Sequence, residues 1–354
     1  MKFLIVLCLA FSSAQAADTV RVCTYNILNF SLSNEDGRSA KFKTIMDSIR
    51  PDILICQEVV EAPAVAKFLS DALGGEYFAS TFNDGFDTDN QIFYKPKNIA
   101  LLSADYYKTE LRDIAEYRVI YIPTNDTVSF FSVHLKASDT DSDEVKRTQE
   151  SHILYEYLAN RDIINGNIVL LGDFNFYSVE EGGYNYLAGI RDIPTLIDPL
   201  GASWKRNDPQ YASYYTQSPR VQADAACGGG TGGGMDDRFD YIFMSPPIHQ
   251  KMIPGSYTHF GNDGVARLNS SIDSPVNTKY PAAIATALRC ASDHLPVYCD
   301  LVFENPTRVH EVVAETDDNI VLRYYDILGR EVTEPVHGGL YLKVRGSKVE
   351  KIVY

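Results

Sequence analysis

The chain has 354 residues, 45% hydrophobic and 22% charged, enough to bury one large core or two smaller ones. Its formal net charge of -15 excludes tight binding to nucleic acid driven by charge alone, because that mode sets Lys and Arg against phosphates. Catalysis on nucleic acid stays open, since a bound cation brings positive charge of its own to a site.

In chain order, Lys2 precedes an apolar run over residues 3–11, and Ala14-Gln15-Ala16 supplies a small-residue cleavage site, the pattern of a secretory signal with mature protein starting near Ala17. The run is far short of the roughly 20 residues of a spanning helix, and Leu7 before Cys8 lacks the small residue of a lipoprotein signal. No other stretch reads as membrane-spanning, so stable membrane insertion is not expected. Losing Cys8 leaves an odd number of cysteines and at least one free thiol. Cys227 and Cys290 flank segments rich in polar chemistry and form the candidate disulfide, with a fully reduced chain as the alternative. Cys23, Cys56 and Cys299 fall on predicted strands, where core packing is their expected role.

Residues 20–27, 52–58, 91–95, 118–123, 128–135, 167–173, 239–244 and 295–303 read as strands, several of them near-continuous Val/Ile/Leu/Phe runs that imply burial on both faces. Residues 38–50, 61–73 and 143–160 read as helices; in the last, Ile153, Leu154, Tyr157 and Leu158 share one face. Alternating strands and helices predict a layered α/β core. Residues 227–234 hold six glycines and open into Met235-Asp236-Asp237-Arg238-Phe239-Asp240-Tyr241, which suggests a flap beside a site. After Asn305-Pro306 the composition shifts to short Val-rich strands, a small β module.

Polar clusters end the strand-like runs: Asn26, Gln57-Glu58, His134, Asp173 with Asn175, Asp237 to Asp240, and Asp293-His294. Strand ends are where a rigid scaffold can hold several side chains at one point, and oxygen with imidazole donors suits a hard divalent cation and a phosphoryl group. Glu58 follows a largely apolar run, where an unpaired carboxylate is costly and a metal would satisfy it. In Gly172-Asp173-Phe174-Asn175 the Asp can orient or deprotonate a water and the Asn can hold it or a phosphate oxygen. A plain Asx turn is the bland alternative. In Ser292-Asp293-His294 the Asp can reach a metal and the His can polarise phosphate, with Asp240 orienting the imidazole. The clusters together read as a metal-dependent phosphoesterase. Arg112 and Arg118 are candidates for phosphate contact, or solvated charges. Tyr215, with Trp204, Tyr211 and Tyr214 among Lys205, Arg206 and Arg220, is a candidate base-stacking edge, or ordinary sheet aromatics.

Tyr25-Asn26, Gln57-Glu58, Val133-His134, Gly172 to Asn175, Arg238 to Tyr241 and Ser292 to Val297, in this order over residues 20–303, resemble the endonuclease/exonuclease/phosphatase superfamily. The resemblance implies a four-layer α/β sandwich, two central β-sheets flanked by helices, over residues 18–304. It implies that Asn26 and Glu58 help bind the metal with Asp293 beside it, and that Asp173 activates the water with Asn175 as its partner. His134 and His294 would contact the scissile phosphate, with Asp240 behind His294. The cofactor implied is Mg²⁺, Mn²⁺ or Ca²⁺, and the reaction is in-line attack of water on phosphorus.

Asn90 to Pro96, Ile253-Pro254-Gly255-Ser256 and the Ala-rich run before Ser292 look like the secreted deoxyribonuclease branch. Thr88 stands where that branch has a glutamate supporting its first histidine, leaving Asp87 or Asp89 as substitutes. Residues 324–332, 338–344 and 351–354 resemble the sorting domain of type IX secretion, which implies export across the outer membrane, with that machinery as partner, and a module over residues 305–354. A binding module is the structural alternative. The combined expectation is a signal peptide at 1–16 and a secreted or surface-bound, monomeric nuclease acting on DNA or RNA. The alternatives are a phospholipid or small-molecule phosphoesterase, and a non-catalytic surface protein on the same fold.

Overall fold

In the computed structural model of the protein, the described residues are 18–161, 166–188, 196–201, 203–303 and, toward the C-terminus, 322–326, 330–333, 335–336, 340–345 and 348–353. The expected signal segment at 1–16 and the boundary at Asn305-Pro306 lie outside them. The chain divides into two compact units, Met1–Glu304 and Asn305–Tyr354.

The first unit runs β1 (Asp18–Phe30), α1 (Arg38–Ile49), β2 (Ile53–Val59), α2 (Ala62–Lys67), a π-helical turn (Phe68–Leu73), β3 (Phe78–Ala79), β4 (Asp89–Tyr94), β5 (Ile99–Tyr107), β6 (Ile114–Tyr121) and β7 (Asp126–His134). It continues with α3 (Asp141–Ala159), β8 (Ile168–Asp173), α4 (Gly182–Ala188), β9 (Asp240–Met244), α5 (Pro246–Lys251), β10 (Thr258–His259), α6 (Ala282–Ala291) and β11 (Val297–Phe303). Sequence patterning misses β5 and α6 and starts β6 four residues late.

Six strands form one sheet in the order β10-β11-β1-β2-β4-β3 and five form a second in the order β5-β6-β7-β8-β9. Alternation along each strand builds the layers, because successive side chains point to opposite faces. Val20 and Val22 of β1, Ile53 and Ile55 of β2, and Val169 and Leu171 of β8 share one core between the sheets. Their neighbours Cys23, Tyr25, Leu54 and Cys56 pack with α1 and α6 residues Phe42, Ile45 and Leu288, while Ile168 and Leu170 pack with Leu154 and Leu158 of α3 and Tyr184 of α4. Helices, sheet, sheet, helices: this is the four-layer α/β sandwich.

Among the described strands, β1–β2 and β7–β8 are the parallel pairs, one in the middle of each sheet. A parallel pair ends both strands at the same edge. Asn26 lies opposite Gln57, and His134 opposite Asp173, so the two pairs deliver their polar ends together. Beneath those ends the inter-sheet space turns polar: Thr24 Oγ1 donates to Gln57 Oε1 (3.1 Å), Gln57 Nε2 to Ser132 Oγ (3.1 Å), and Ser132 Oγ to Asn90 Oδ1 (2.7 Å). Gly172 is what lets β8 pass so close to β7. Its φ is 134°, and a Cβ there would stand 2.1 Å from the Val133 carbonyl oxygen.

Cys227 and Cys290 are bonded to each other, joining the glycine-rich loop to the end of α6; Cys23, Cys56 and Cys299 are free and buried. No helix among the described residues is long and apolar enough to cross a membrane. In the second unit, β12 (Leu322–Tyr325), β13 (Glu331–Val332), β14 (Leu340–Arg345) and β15 (Lys348–Val353) form an antiparallel sheet in the order β13-β12-β14-β15.

Candidate active site

The chain turns sharply where β1 and β2 deliver their polar groups. Leu28, Asn29 and Glu58 have φ of 50°, 43° and 62°, conformations that cost non-glycine residues energy and collect at functional sites. The turn aims the Asn29 N–H at Glu58 Oε2 (2.8 Å). Asn26 Nδ2 donates to both Glu58 Oε1 (2.8 Å) and Asp173 Oδ2 (2.9 Å), while its Oδ1 accepts from Leu28 N (3.0 Å). The amide orientation follows from the Leu28 N–H, which needs an acceptor. As placed, Asn26 bridges the two carboxylates through its amide nitrogen.

His134 closes β7 with Nε2 at 3.7 Å from Glu58 Oε1 and 3.6 Å from Asp173 Oδ2. Its Nδ1 is buried with no hydrogen-bond partner. The expected substitutes for a supporting acid are engaged elsewhere: Asp87 pairs with Arg112 (2.6 Å), Thr88 accepts from the same guanidinium (3.3 Å), and Asp89 accepts from Gly85 N. Asp173 closes β8; its Oδ1 accepts from Asn175 N (3.0 Å), and Asn175, at φ 51°, donates its amide to Leu135 O (3.2 Å).

His294 is held through Nδ1 by Asp240 Oδ2 at 2.8 Å and lies with Nε2 3.5 Å from Asp173 Oδ2. A carboxylate only accepts, so Nδ1 carries a proton. Asp293 Oδ2 accepts from Thr231 N (2.7 Å), while its Oδ1 is buried and unpaired. The approach of the glycine-rich loop needs Gly230: a Cβ there would lie 2.6 Å from Asp293 Oδ2. Ser292 Oγ donates to Asn26 O (2.6 Å), tying the Asp293-His294 segment to β1.

Burial, then the Asp293 carboxylate, raises the pKa of Glu58 against the hydrogen bond from Asn26. Burial pushes Asp173 up to about 7, opposed by His294 and reinforced by Asp240 and Glu58. At His294 burial works against the charge, yet Asp240, Asp173 and Asp293 hold its imidazolium well above the usual histidine range. His134 goes the other way: burial, with the charges of Arg112 and His294, keeps it neutral. Two imidazoles in one pocket are thus driven to opposite protonation states.

The donor set fits a hard divalent cation. Glu58, His134 and Asp173 offer ligand atoms within 4.8 Å of one another. The buried unpaired Oδ1 atoms of Asp293 and Asp240 are costly unless something positive meets them.

Three expected contacts fare differently. Arg112 lies close enough to His134 to depress it. Arg118 is exposed and pairs in register with Ser129, about 16 Å down the strand from His134 at 3.3 Å per residue, so it is not brought to the site. Tyr215 is fully buried, its hydroxyl 2.8 Å from both Lys205 O and Asp208 O, and Trp204 sits in the helix-side core, so neither forms a stacking edge. Sequence reading also passed over Gln217, whose carboxamide is 2.7 Å from His294 Nε2, and Thr216, whose Oγ1 accepts from Phe239 N and Asp240 N. Both sit in a polar loop with no periodicity to mark them.

The family model described as Endonuclease/Exonuclease/phosphatase family matches residues 23–294. No curated protein matches the sequence. Among solved structures, TDP2 of D. rerio complexed with single strand DNA product superposes with a TM-score of 0.54 at 16% identity, over 80% of this chain and 98% of that one. Truncated TDP2 of Caenorhabditis elegans gives 0.52 at 17% identity over 80% and 98%, and the human Nocturnin catalytic domain with bound sulfate anion 0.50 at 18% over 81% and 95%. At these identities the likeness is one of fold. The family match opens in β1 and closes on His294, spanning every residue of the pocket, and the chain belongs to the endonuclease/exonuclease/phosphatase family of metal-dependent phosphoester hydrolases.

Proposed function

We propose that the protein is a secreted, deoxyribonuclease-like phosphodiesterase that hydrolyses DNA or RNA backbones. The observation that carries this reading is the meeting of Asp173 with two imidazoles beside buried carboxylates whose oxygens lack partners. Glu58 and Asp293 would hold the ion, with Asn26 keeping Glu58 and Asp173 apart from mutual repulsion. The bound cation would supply Lewis-acid charge at a phosphate oxygen.

Asp173, held by Asn175 and Asn26, takes the proton of the attacking water. The water oxygen bonds to phosphorus as the opposite ester P–O bond breaks. His294, charged through Asp240, and neutral His134, donating from Nε2, meet the non-bridging oxygens as negative charge develops. A nucleic-acid substrate agrees with the D. rerio TDP2 structure, which holds a single strand DNA product on this fold. Lys2 to Ala16 support export, and the resemblance of residues 324–354 to a type IX sorting domain supports delivery to the cell surface or medium.

Plasmid DNA, RNA, sphingomyelin and a chromogenic phosphodiester, each with and without EDTA, test the activity. Nucleic-acid hydrolysis that EDTA abolishes and Mg²⁺, Mn²⁺ or Ca²⁺ restores is expected. Full activity in EDTA, or hydrolysis of sphingomyelin alone, contradicts the proposal. For export, removal of residues 306–354 should block surface delivery in the native host while leaving catalysis within about threefold, a barrier change below about 0.7 kcal/mol.

A further inference from the structure

His294 has two ring nitrogens and the structure commits one of them. Nδ1 belongs to Asp240, so Nε2 is the nitrogen left to meet a substrate oxygen. That position is covered by the carboxamide of Gln217, 2.7 Å away; a charged His294 carries an N–H there and needs an acceptor, so the amide meets it through its oxygen.

The backbone of Gln217 is fixed on both sides. Its N–H donates to Asp237 O (3.1 Å) and its carbonyl accepts from Asp236 N (3.0 Å) and Asp237 N (3.3 Å). The preceding carbonyl, on Thr216, accepts from Leu295 N (2.8 Å), and the following N–H, on Ser218, donates to Gly234 O (2.8 Å). Residues 216–218 thus thread between the segment that carries Asp237 to Asp240 and the segment that carries Asp293 and His294. The side chain is half-buried and meets His294 Nε2 with its carboxamide. A fixed backbone that presents a polar head at a reactive nitrogen is the build of a group that positions a ligand.

We infer that Gln217 is a substrate-contacting residue: its carboxamide turns off Nε2 when a phosphodiester enters and donates an N–H to the non-bridging oxygen that His294 then receives. This rests on the phosphoesterase reading of the site. The neutral amide suits the task on charge grounds. A carboxylate there would repel the anion and compete for the imidazole, and an ammonium would oppose the imidazolium. A hydrogen bond to a charged oxygen that strengthens in the transition state acts mainly on kcat.

Steady-state kinetics on a chromogenic phosphodiester at saturating Mn²⁺ separates this role from a structural one. Gln217→Ala is expected to lower kcat/KM by roughly tenfold, mostly in kcat, and Gln217→Glu by more, although Glu preserves shape best. A merely structural Gln217 reverses that order. Inorganic phosphate gives a second readout: it should shift the His294 ring ¹⁵N resonances of the wild type and do so at least about tenfold more weakly in Gln217→Glu. An active wild type with both variants within threefold of it, or with Gln217→Glu the better enzyme, overturns the inference and leaves the phosphoesterase reading intact. A wild type that hydrolyses no phosphoester overturns both.

Discussion

Replacing Asp240 by Asn keeps the shape behind His294 and removes the charge. The two side chains are 3% exposed or less and meet at 2.8 Å, so solvent neither screens nor replaces the contact. A buried hydrogen bond to a charged group is worth about 1.5–3 kcal/mol, and if that stabilises the imidazolium facing the phosphate, the loss at about 1.4 kcal/mol per decade is roughly ten- to two-hundredfold in kcat. Stability should fall too, since the buried contact to the imidazolium is lost, partly offset because Asp240 Oδ1 is buried without a partner and an uncharged amide is cheaper to bury. Single-turnover hydrolysis of a fluorescent oligonucleotide in Mn²⁺ measures the first quantity and urea unfolding the second. A folded Asp240→Asn enzyme within threefold of wild type would refute the claim that this carboxylate charges His294.

Gly172→Ala should cost roughly 3 kcal/mol or more, since a Cβ 2.1 Å from Val133 O must force β7 from β8 and the backbone conformation at φ 134° disfavours any side chain; an unchanged urea midpoint would show that the strands are not so close. Glu150 is pushed up to about 7 by burial, against the hydrogen bond from Lys136 N and the charges of Arg112 and Arg147. Its folded pKa is above its unfolded one, so the wild type loses stability as pH rises toward 7, and Glu150→Gln should gain on it between about pH 4.5 and 7, by on the order of 3 kcal/mol, with no further gain above. Parallel thermal melts of the two proteins at pH 4, 6 and 8 that differ by a constant amount would contradict this.

The strands that ended in polar clusters were readable because a buried strand betrays itself twice, by an apolar run and by the charge that stops it. β8 and its Asp173 are the clearest case. β5 escaped because it is an edge strand with mostly half-buried and exposed residues, Ser103, Ala104 and Asp105 among them, so no clean alternation marks it. α6 escaped because its ten residues are shorter than the window over which a helical period can be counted. Arg118 and Tyr215 were misplaced for a different reason. Residue type says what a side chain can bind, while register and burial decide whether it arrives, and neither is encoded locally. Gln217 is the converse: no local signal distinguishes it, and only pairing with Asp237 and His294, distant in sequence, gives it a position.

One consequence of the two parallel strand pairs concerns where rate-altering substitutions should be found. Asn26 and Glu58 ride on one sheet, and His134, Asp173 and Asp240 on the other. The gap across the pocket is therefore the thickness of the inter-sheet core, about 10 Å in such packings and set by side chains such as Ile55, Tyr117 and Leu171. Catalytic geometry tolerates errors well under 1 Å. A methyl group added or removed deep between the sheets, far from any substrate, thus changes turnover through spacing. Laboratory evolution of this enzyme would accordingly collect gains in kcat among aliphatic residues that touch nothing chemical.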